Sequence, residues 1–247
     1  MNILAFDTCL DACSAAVSRG GHGAVYGVRE LMRRGHAEAV MPMIEHVMAE
    51  AGMGFDDLDR IAVTHGPGTF TGTRLGISAA LGFAVARAIP VATVSSLAVV
   101  ARGAAVALGH SAATHAGIAV VRDARRDRVY LEITDNGGRP AEGPRLLALD
   151  DALAAIEGRD IFAFGSGVSA LEARAGGSIQ GVATGWPVPP PDAVDEPDAR
   201  FLLDLAAGLP ASLDPSPLYL RPPDAKPAAL LAPFLAGRAA IRTNRDA

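Results

Sequence analysis

Three short apolar runs come first, then helix, strand, helix, strand and helix in turn, and this order over the N-terminal part of the chain restricts its fold more than any other feature. NILAFDT from Asn2, CSAAVSR from Cys13 and AVYGVRE from Ala24 read as strands. Residues 37–51 read as a helix, RIAVT (60–64) as a strand, Thr71 to Ala88 as a helix ended by Pro90, PVATVSS as a strand, and the stretch from Leu97 as a third helix. A chain that alternates in this way makes an α/β sheet layered with helices. At 247 residues with 50% hydrophobic and 20% charged content, it can bury a sizeable core.

Around GHSAATHA (109–116) the core pattern lapses, which predicts an N-terminal lobe over 1–110 and a second α/β lobe over 111–222. In the second lobe GIAVVRDARRDRVYLEITDNGG reads as two strands around a charged turn, residues 150–156 as a short helix, and IFAFGSGV as a strand entering a glycine turn. WPVPPPDAVDEPDA is a linker or extended arm. ARFLLDLAAGL after it is a helix with its apolar face at Phe201, Leu202, Leu205 and Leu209, expected to pack back toward the first lobe. The proline-rich tail 223–247 is expected to wrap the surface or to be partly disordered.

Lys plus Arg total 22 against 27 Asp plus Glu, and the net charge of -5 provides no general attraction to nucleic acid or anionic membrane. The N-terminus MNILAFDTCL has no basic region ahead of its apolar residues, so export is not expected and a cytoplasmic location is. The apolar tract from Leu81 to Leu108 is interrupted by Arg87, Pro90 and Arg102, which argues for core elements and against a membrane span. The cysteines, Cys9 and Cys13, lack zinc-site spacing and read as small buried hydrophobes in a reducing compartment.

Chemistry has few footholds. Asp7 and Thr8 at the exit of the first strand, with Gly66 and Gly68 at a second strand exit, are weak candidates for a nucleotide site. Neither GxGxxG nor GxxxxGK[ST] occurs, and the Gly165-Ser166-Gly167 turn is equally an ordinary strand-to-helix connection. The histidines are dispersed, with no HExxH, and there is no GxSxG elbow, so neither a catalytic metal nor a hydrolase triad is expected.

The segment HGPGTFTGTRLGIS (65–78) runs into a helix on which Gly72, Gly76, Ala80 and Ala84 recur every fourth residue. Such a stripe lets another element approach closely, either within this fold or from a partner. The apolar arc of 37–51, through Val40, Met41, Met43, Ile44, Val47, Met48 and Ala51, is broader than one core-facing stripe and implies packing on two sides.

Six segments carry a resemblance: ILAFDTCLDACSAAV, RGHAEAVMPMI, HGPGTFTGTRLGIS, VSSLAVVA, VRDARRDRVY and PLYLR. In this order along most of the chain they resemble the TsaB (YeaZ) family, the small bacterial subunit of the tRNA threonylcarbamoyladenosine machinery. The resemblance implies the two-lobed actin-like ATPase (ASKHA) fold. It also implies a non-catalytic scaffold for the transferase TsaD, acting with the ATPase TsaE, with tRNA held only through the complex and with no tightly bound cofactor beyond ATP or ADP at a complex interface. Aligned on VSSLAVVA, Ser96 and Val100 stand where the paralog TsaD would carry its metal-binding histidines, so no metal is implied here.

The family's partner interface is formed by the first two helices, which would place Val40, Met41, Ile44, Met48, Gly72, Gly76, Ala80 and Phe83 against TsaD, or against a second copy when the chain is alone. Two residues depart from the family pattern: Cys9 where Ser is more usual, and Arg128 where an acid usually follows DAR. The rival reading is an enzyme in its own right, a stand-alone ATPase or a metallopeptidase-like protein.

Overall fold

The structure is a computed structural model that describes residues 1–20, 23–186, 190 and 194–221. The tail 223–247 expected to wrap the surface lies outside the described residues. Two five-stranded sheets organise the chain. The first contains β1 (Ile3–Asp7), β2 (Ala12–Ser18), β3 (Val25–Leu31), β4 (Arg60–Thr64) and β5 (Val91–Val94), in the order β3-β2-β1-β4-β5. The second contains β6 (Gly117–Asp123), β7 (Arg128–Asp135), β8 (Pro140–Ala148), β9 (Ile161–Phe164) and β10 (Val182–Ala183), in the order β10-β9-β6-β7-β8. Each is an antiparallel three-strand meander whose first strand also pairs in parallel with a fourth, which pairs in parallel with a fifth. The same topology built twice is the two-lobed actin-like fold.

Five layers result. On one face of the first sheet lie α1 (His36–Glu50) and α2 (Phe70–Arg87), which share a core with Leu4, Phe6, Ala15 and Val17. On its other face Ala5, Ala16, Ala62 and Ala92 meet α3 (Ser96–Leu108) and α6 (Ala199–Ala206). These strands are rich in alanine because both faces are covered and the helices lie close. The second sheet receives α3 on one side through Ile118, Val120, Phe162 and Phe164. On its other side Val121, Leu131 and Ile133 meet α4 (Leu149–Ile156) and α5 (Val168–Ala175).

The central α3 is therefore apolar nearly all round, with Leu97, Val99, Val100, Ala101 and Ala104 all buried. With the 3-10 turn that follows, Ser96–Thr114 is long and apolar enough to cross a membrane by composition. The contacts of α3 with both sheets account for that composition without a bilayer.

Helix α6 packs on the first sheet, although its chain position follows the second lobe. Its buried residues are Ala199, Leu202, Leu203 and Ala206, spaced i, i+3, i+4, i+7. The expected face of Phe201, Leu202, Leu205 and Leu209 is thus rotated: Phe201 and Leu205 lie on its flank and Leu209 falls beyond the helix, exposed. Phe201 still has a defined place, since its ring fills the space left by Gly103 on α3, where a Cβ would come within 2.9 Å of it. Downstream, residue Ser212 bridges to the edge strand β5 at Val91, and the chain continues without helix or strand as far as Arg221.

Candidate functional site

The two strand exits are brought together. Asp7 ends β1 and Thr64 ends the neighbouring β4, and the Thr64 hydroxyl donates to Asp7 Oδ1, which also accepts the Cys9 N–H at 3.3 Å. Asp7 is fully buried, its Oδ2 has no hydrogen-bond partner among the described residues, and burial pushes its carboxyl up to about 7. The Thr8 hydroxyl donates to the Gly72 carbonyl at 2.7 Å, at the first turn of α2. Gly66 takes φ 110°, the Gly66–Pro67 peptide is cis, and the Gly66 carbonyl accepts the Ser96 N–H at 2.9 Å at the start of α3. Gly68 rests on the turn after β1 so closely that a Cβ there would lie 2.3 Å from the Cys9 carbonyl oxygen.

The four candidate nucleotide residues, Asp7, Thr8, Gly66 and Gly68, therefore meet one another, with the first three buried and Thr8's hydroxyl already spent on α2. In this geometry they seat the N-terminus of α2 on the sheet. Cys9 is sealed in as well: its sulfur lies 3.2 Å from the Thr64 hydroxyl, and burial, with Asp7 adding to it, pushes the thiol up to about 12, so it is no nucleophile. Arg128 begins β7 and is exposed.

Ser96 and Val100 are buried in α3. The Ser96 hydroxyl donates to the Pro67 carbonyl, and Val100 belongs to the core between α3 and the second sheet. Among the described residues no group of three or more His, Cys, Asp and Glu side chains could hold a metal ion.

Of the eight residues expected at a partner interface, six lie in the core of this chain. Val40, Ile44, Met48, Gly72, Gly76 and Ala80 are buried in this chain's own first lobe. A Cβ on Gly76 would lie 2.8 Å from Thr8 Oγ1 and 3.3 Å from Val63 Cγ2, so the glycine stripe serves close approach of α2 to β1 and β4. Phe83 is half-buried, stacked on Phe55 and edge-on to Phe6. Of the arc on α1 only Met41 faces out, so that broad arc packs on one side, where β1 and β2 form a wide apolar floor.

The outward face of α2 is a different set: Phe70, Arg74, Ser78, Leu81, Gly82, Val85 and Ala86 are exposed, Val85 to 77%. A second stripe of small residues, Ser78, Gly82 and Ala86, lies two positions on from the first, about 200° around the helix. Among the described residues, nothing outside the helix's own backbone lies within 4 Å of where a Gly82 Cβ would be.

Two buried acidic sites escaped sequence reasoning. Glu196, in the proline-rich segment, accepts the Asp11 N–H at 2.8 Å with Oε2 and Arg122 Nη2 at 2.9 Å with Oε1. It thus ties the turn after β1 to β6 of the other lobe, and burial, partly offset by Arg122, raises its carboxyl. Asp198 caps α6 by accepting the Arg200 N–H at 2.9 Å, and an acid just ahead of an apolar-periodic run was a legible signal for it. The second site is Glu132 on β7, which accepts the Ser95 hydroxyl at the N-cap of α3; burial pushes its carboxyl up to about 7. No local pattern marks Glu132 or Glu196.

Comparison with known proteins places these features in a family. Residues 18–171 match the family model described as TsaD, tRNA N6-adenosine threonylcarbamoyltransferase. Among curated proteins the chain is similar to the tRNA threonylcarbamoyladenosine biosynthesis protein TsaB of Haemophilus influenzae, 38% identical over 84 residues, which span 34% of this chain and 35% of that protein. The corresponding TsaB of Escherichia coli is 39% identical over 84 residues, spanning 36% of its length. The matched region is thus about a third of each curated relative. Among solved structures, YeaZ from Pseudomonas aeruginosa superposes with a TM-score of 0.70 at 30% identity, covering 89% of this chain and 99% of that one.

Proposed function

The chain belongs to the TsaB (YeaZ) branch of the TsaD family, and on that premise we propose that it serves tRNA threonylcarbamoyladenosine biosynthesis as a non-catalytic scaffold for a TsaD-type transferase. With a TsaE-type ATPase, the assembly would transfer the threonylcarbamoyl group to the adenosine beside the anticodon of tRNAs reading codons that begin with A. The observation that carries this reading is the likeness to YeaZ across 89% of the chain. The side chains nearest the strand exits that carry reactive groups, Asp7, Thr8, Cys9 and Ser96, are all buried in the joint between strands and helices, which supports a scaffold over a stand-alone enzyme.

The surface we assign to the partner is the C-terminal part of the outward face of α2, where Leu81 and Val85 stand beside Ser78, Gly82 and Ala86. Small residues there let a second helix come within 8–10 Å, roughly the usual interaxial distance, and the two aliphatic side chains supply area to bury. Alone, the chain would use the same face against a copy of itself. ATP or ADP would belong to the assembled complex.

Reconstitution tests the proposal. The chain, its TsaD and TsaE partners, ATP, threonylcarbamoyl-adenylate and unmodified tRNA are combined, and the modified nucleoside is measured by mass spectrometry. Modification should require the chain, and Val85→Arg should abolish both co-elution with TsaD and modification. Modification that proceeds equally well without the chain would refute the scaffold role.

A further inference from the structure

The N-terminal end of α2 carries a feature that neither the core nor the aliphatic partner face uses. Phe70, 54% exposed, and Tyr219, 49% exposed, stack with ring centroids 6.1 Å apart. Arg74, one turn along, holds its guanidinium 3.7 Å above the Phe70 ring and donates from Nε to the Tyr219 hydroxyl at 2.6 Å. Three planar groups from two remote segments are thus held in one exposed ledge.

Two hydrogen bonds from the segment after Ser212 to backbone carbonyls fix the ledge in place. The Leu218 N–H donates to the His65 carbonyl at 2.7 Å, just ahead of the Gly66 turn, and Arg221 Nη2 donates to the Ala124 carbonyl at 2.6 Å on the second lobe. Ala124 opens the turn between β6 and β7, where Arg125, Arg126 and Asp127 all take positive φ, of 61°, 56° and 54°. Side-chain-bearing residues rarely adopt that conformation, which here shapes the tight connection of the β6–β7 hairpin. Arg125 and Arg128 are exposed on this turn. Asp123 accepts the Arg125 N–H at 2.8 Å, which orders the start of this turn.

We infer that this ledge is a binding site for single-stranded RNA, in which a base stacks on Phe70, Arg74 and Tyr219 while neighbouring phosphates meet Arg125 and Arg221. Aromatic rings and guanidinium planes accept any base face, and flanking arginines track the backbone. The exposed aliphatic residues Leu81 and Val85 lie about three turns or more beyond Phe70 along α2. Local arginines supply the attraction that the net charge of -5 denies to the molecule as a whole. The choice of RNA rests on the proposed role in tRNA modification.

The test is fluorescence anisotropy with a labelled single-stranded RNA of about 12 nucleotides and a duplex of the same length, using the full chain alone and in complex with TsaD. Single strands should bind in preference to duplex. Phe70→Ala and Tyr219→Ala should each weaken binding by about 5- to 150-fold, the cost of one lost base stack. Tyr219→Phe, which keeps the ring and loses only its hydroxyl, should retain most of the affinity. Arg125→Ala should reduce the slope of log affinity against log salt by about 0.7. All these side chains are exposed, and a thermal melt of each variant should match wild type.

Unchanged RNA binding by both alanine variants would overturn the inference, as would no binding of single strands by wild type, alone or in complex. Displacement by free ATP as effective as by RNA would assign the ledge to a nucleotide and overturn it too. Loss of TsaD co-elution in Tyr219→Ala with RNA binding intact would make it a protein contact. A wild-type chain that binds RNA at the ledge yet never associates with TsaD would defeat the scaffold proposal and leave this inference standing.

Discussion

Replacing Gly76 with alanine sets two opposed effects against each other, and the structure decides which wins. In a helix interior the change gains about 1 kcal/mol of propensity. The new methyl, however, would stand 2.8 Å from Thr8 Oγ1 and 3.3 Å from Val63 Cγ2, both in the fully buried seam between α2 and the first sheet. Thr8 cannot turn aside freely, because its hydroxyl is committed to the Gly72 carbonyl. Overpacking of this kind costs about 1–3 kcal/mol, and a lost buried hydrogen bond adds about 1 kcal/mol. The net loss should be about 1–3 kcal/mol, which for a chain of this size lowers Tm by about 2–12 °C. Gly76→Leu, with three further heavy atoms in the same seam, should melt far earlier or fail to accumulate.

Gly82 is the internal control, since it lies in the same helix and, among the described residues, nothing outside the helix's own backbone lies within 4 Å of its would-be Cβ. Gly82→Ala should raise Tm by about 2–4 °C through propensity alone. Melts of the three variants followed by circular dichroism, each paired with a TsaD pull-down, separate the two stripes. A Gly76→Ala protein that melts at or above wild type but no longer binds TsaD would refute the assignment of this stripe to the core.

Further outcomes are expected. Asp7 and Glu132 have folded carboxyl values of about 7, above the ordinary 3.8 and 4.5, so the folded state holds their protons where the unfolded state has released them. Stability should therefore fall as pH rises from about 4 to 7, and Asp7→Asn, whose neutral amide replaces a buried carboxylate, should flatten that slope; an unchanged slope in urea titrations across the range would count against it. Glu196→Gln should weaken the link between the turn after β1 and β6 by about 1–3 kcal/mol, detected as faster amide exchange at Asp11, and exchange as slow as in wild type would argue against the link. Native Cys9 should resist iodoacetamide until the chain unfolds, because its thiol is buried and pushed up to about 12; rapid labelling of the folded protein would contradict the closed seam.

Local periodicity and turn chemistry were enough to read most strands and helices of the first lobe within a residue or two, because each element repeats its own spacing. Thus 60–64 is β4 as read, and the helix expected from Thr71 begins at Phe70 with Thr69 as its cap. The edge strand β8 was missed since PAEGPRLLA carries two prolines, a glycine and mostly exposed positions, so it has no clean alternation. The strand-exit residues were also legible, as turn residues between apolar runs, but their roles were not. Asp7 and Thr8 meet Thr64 and Gly72 only when β1 lies beside β4, and that pairing seals them.

On α2 both the stripe from Gly72 to Ala84 and the stripe from Ser78 to Ala86 are small enough to be a contact, and with few polar residues around the helix nothing in its pattern says which faces inward. The position of the first sheet decides that. The Phe70, Arg74 and Tyr219 ledge and the Glu196 tie draw on partners far apart in the chain, so their existence depends on the two lobes and the arm closing on one another. A sequence specifies which side chains a segment carries and how often they recur, whereas burial and company are properties of the surface that each segment meets once the sheets have formed.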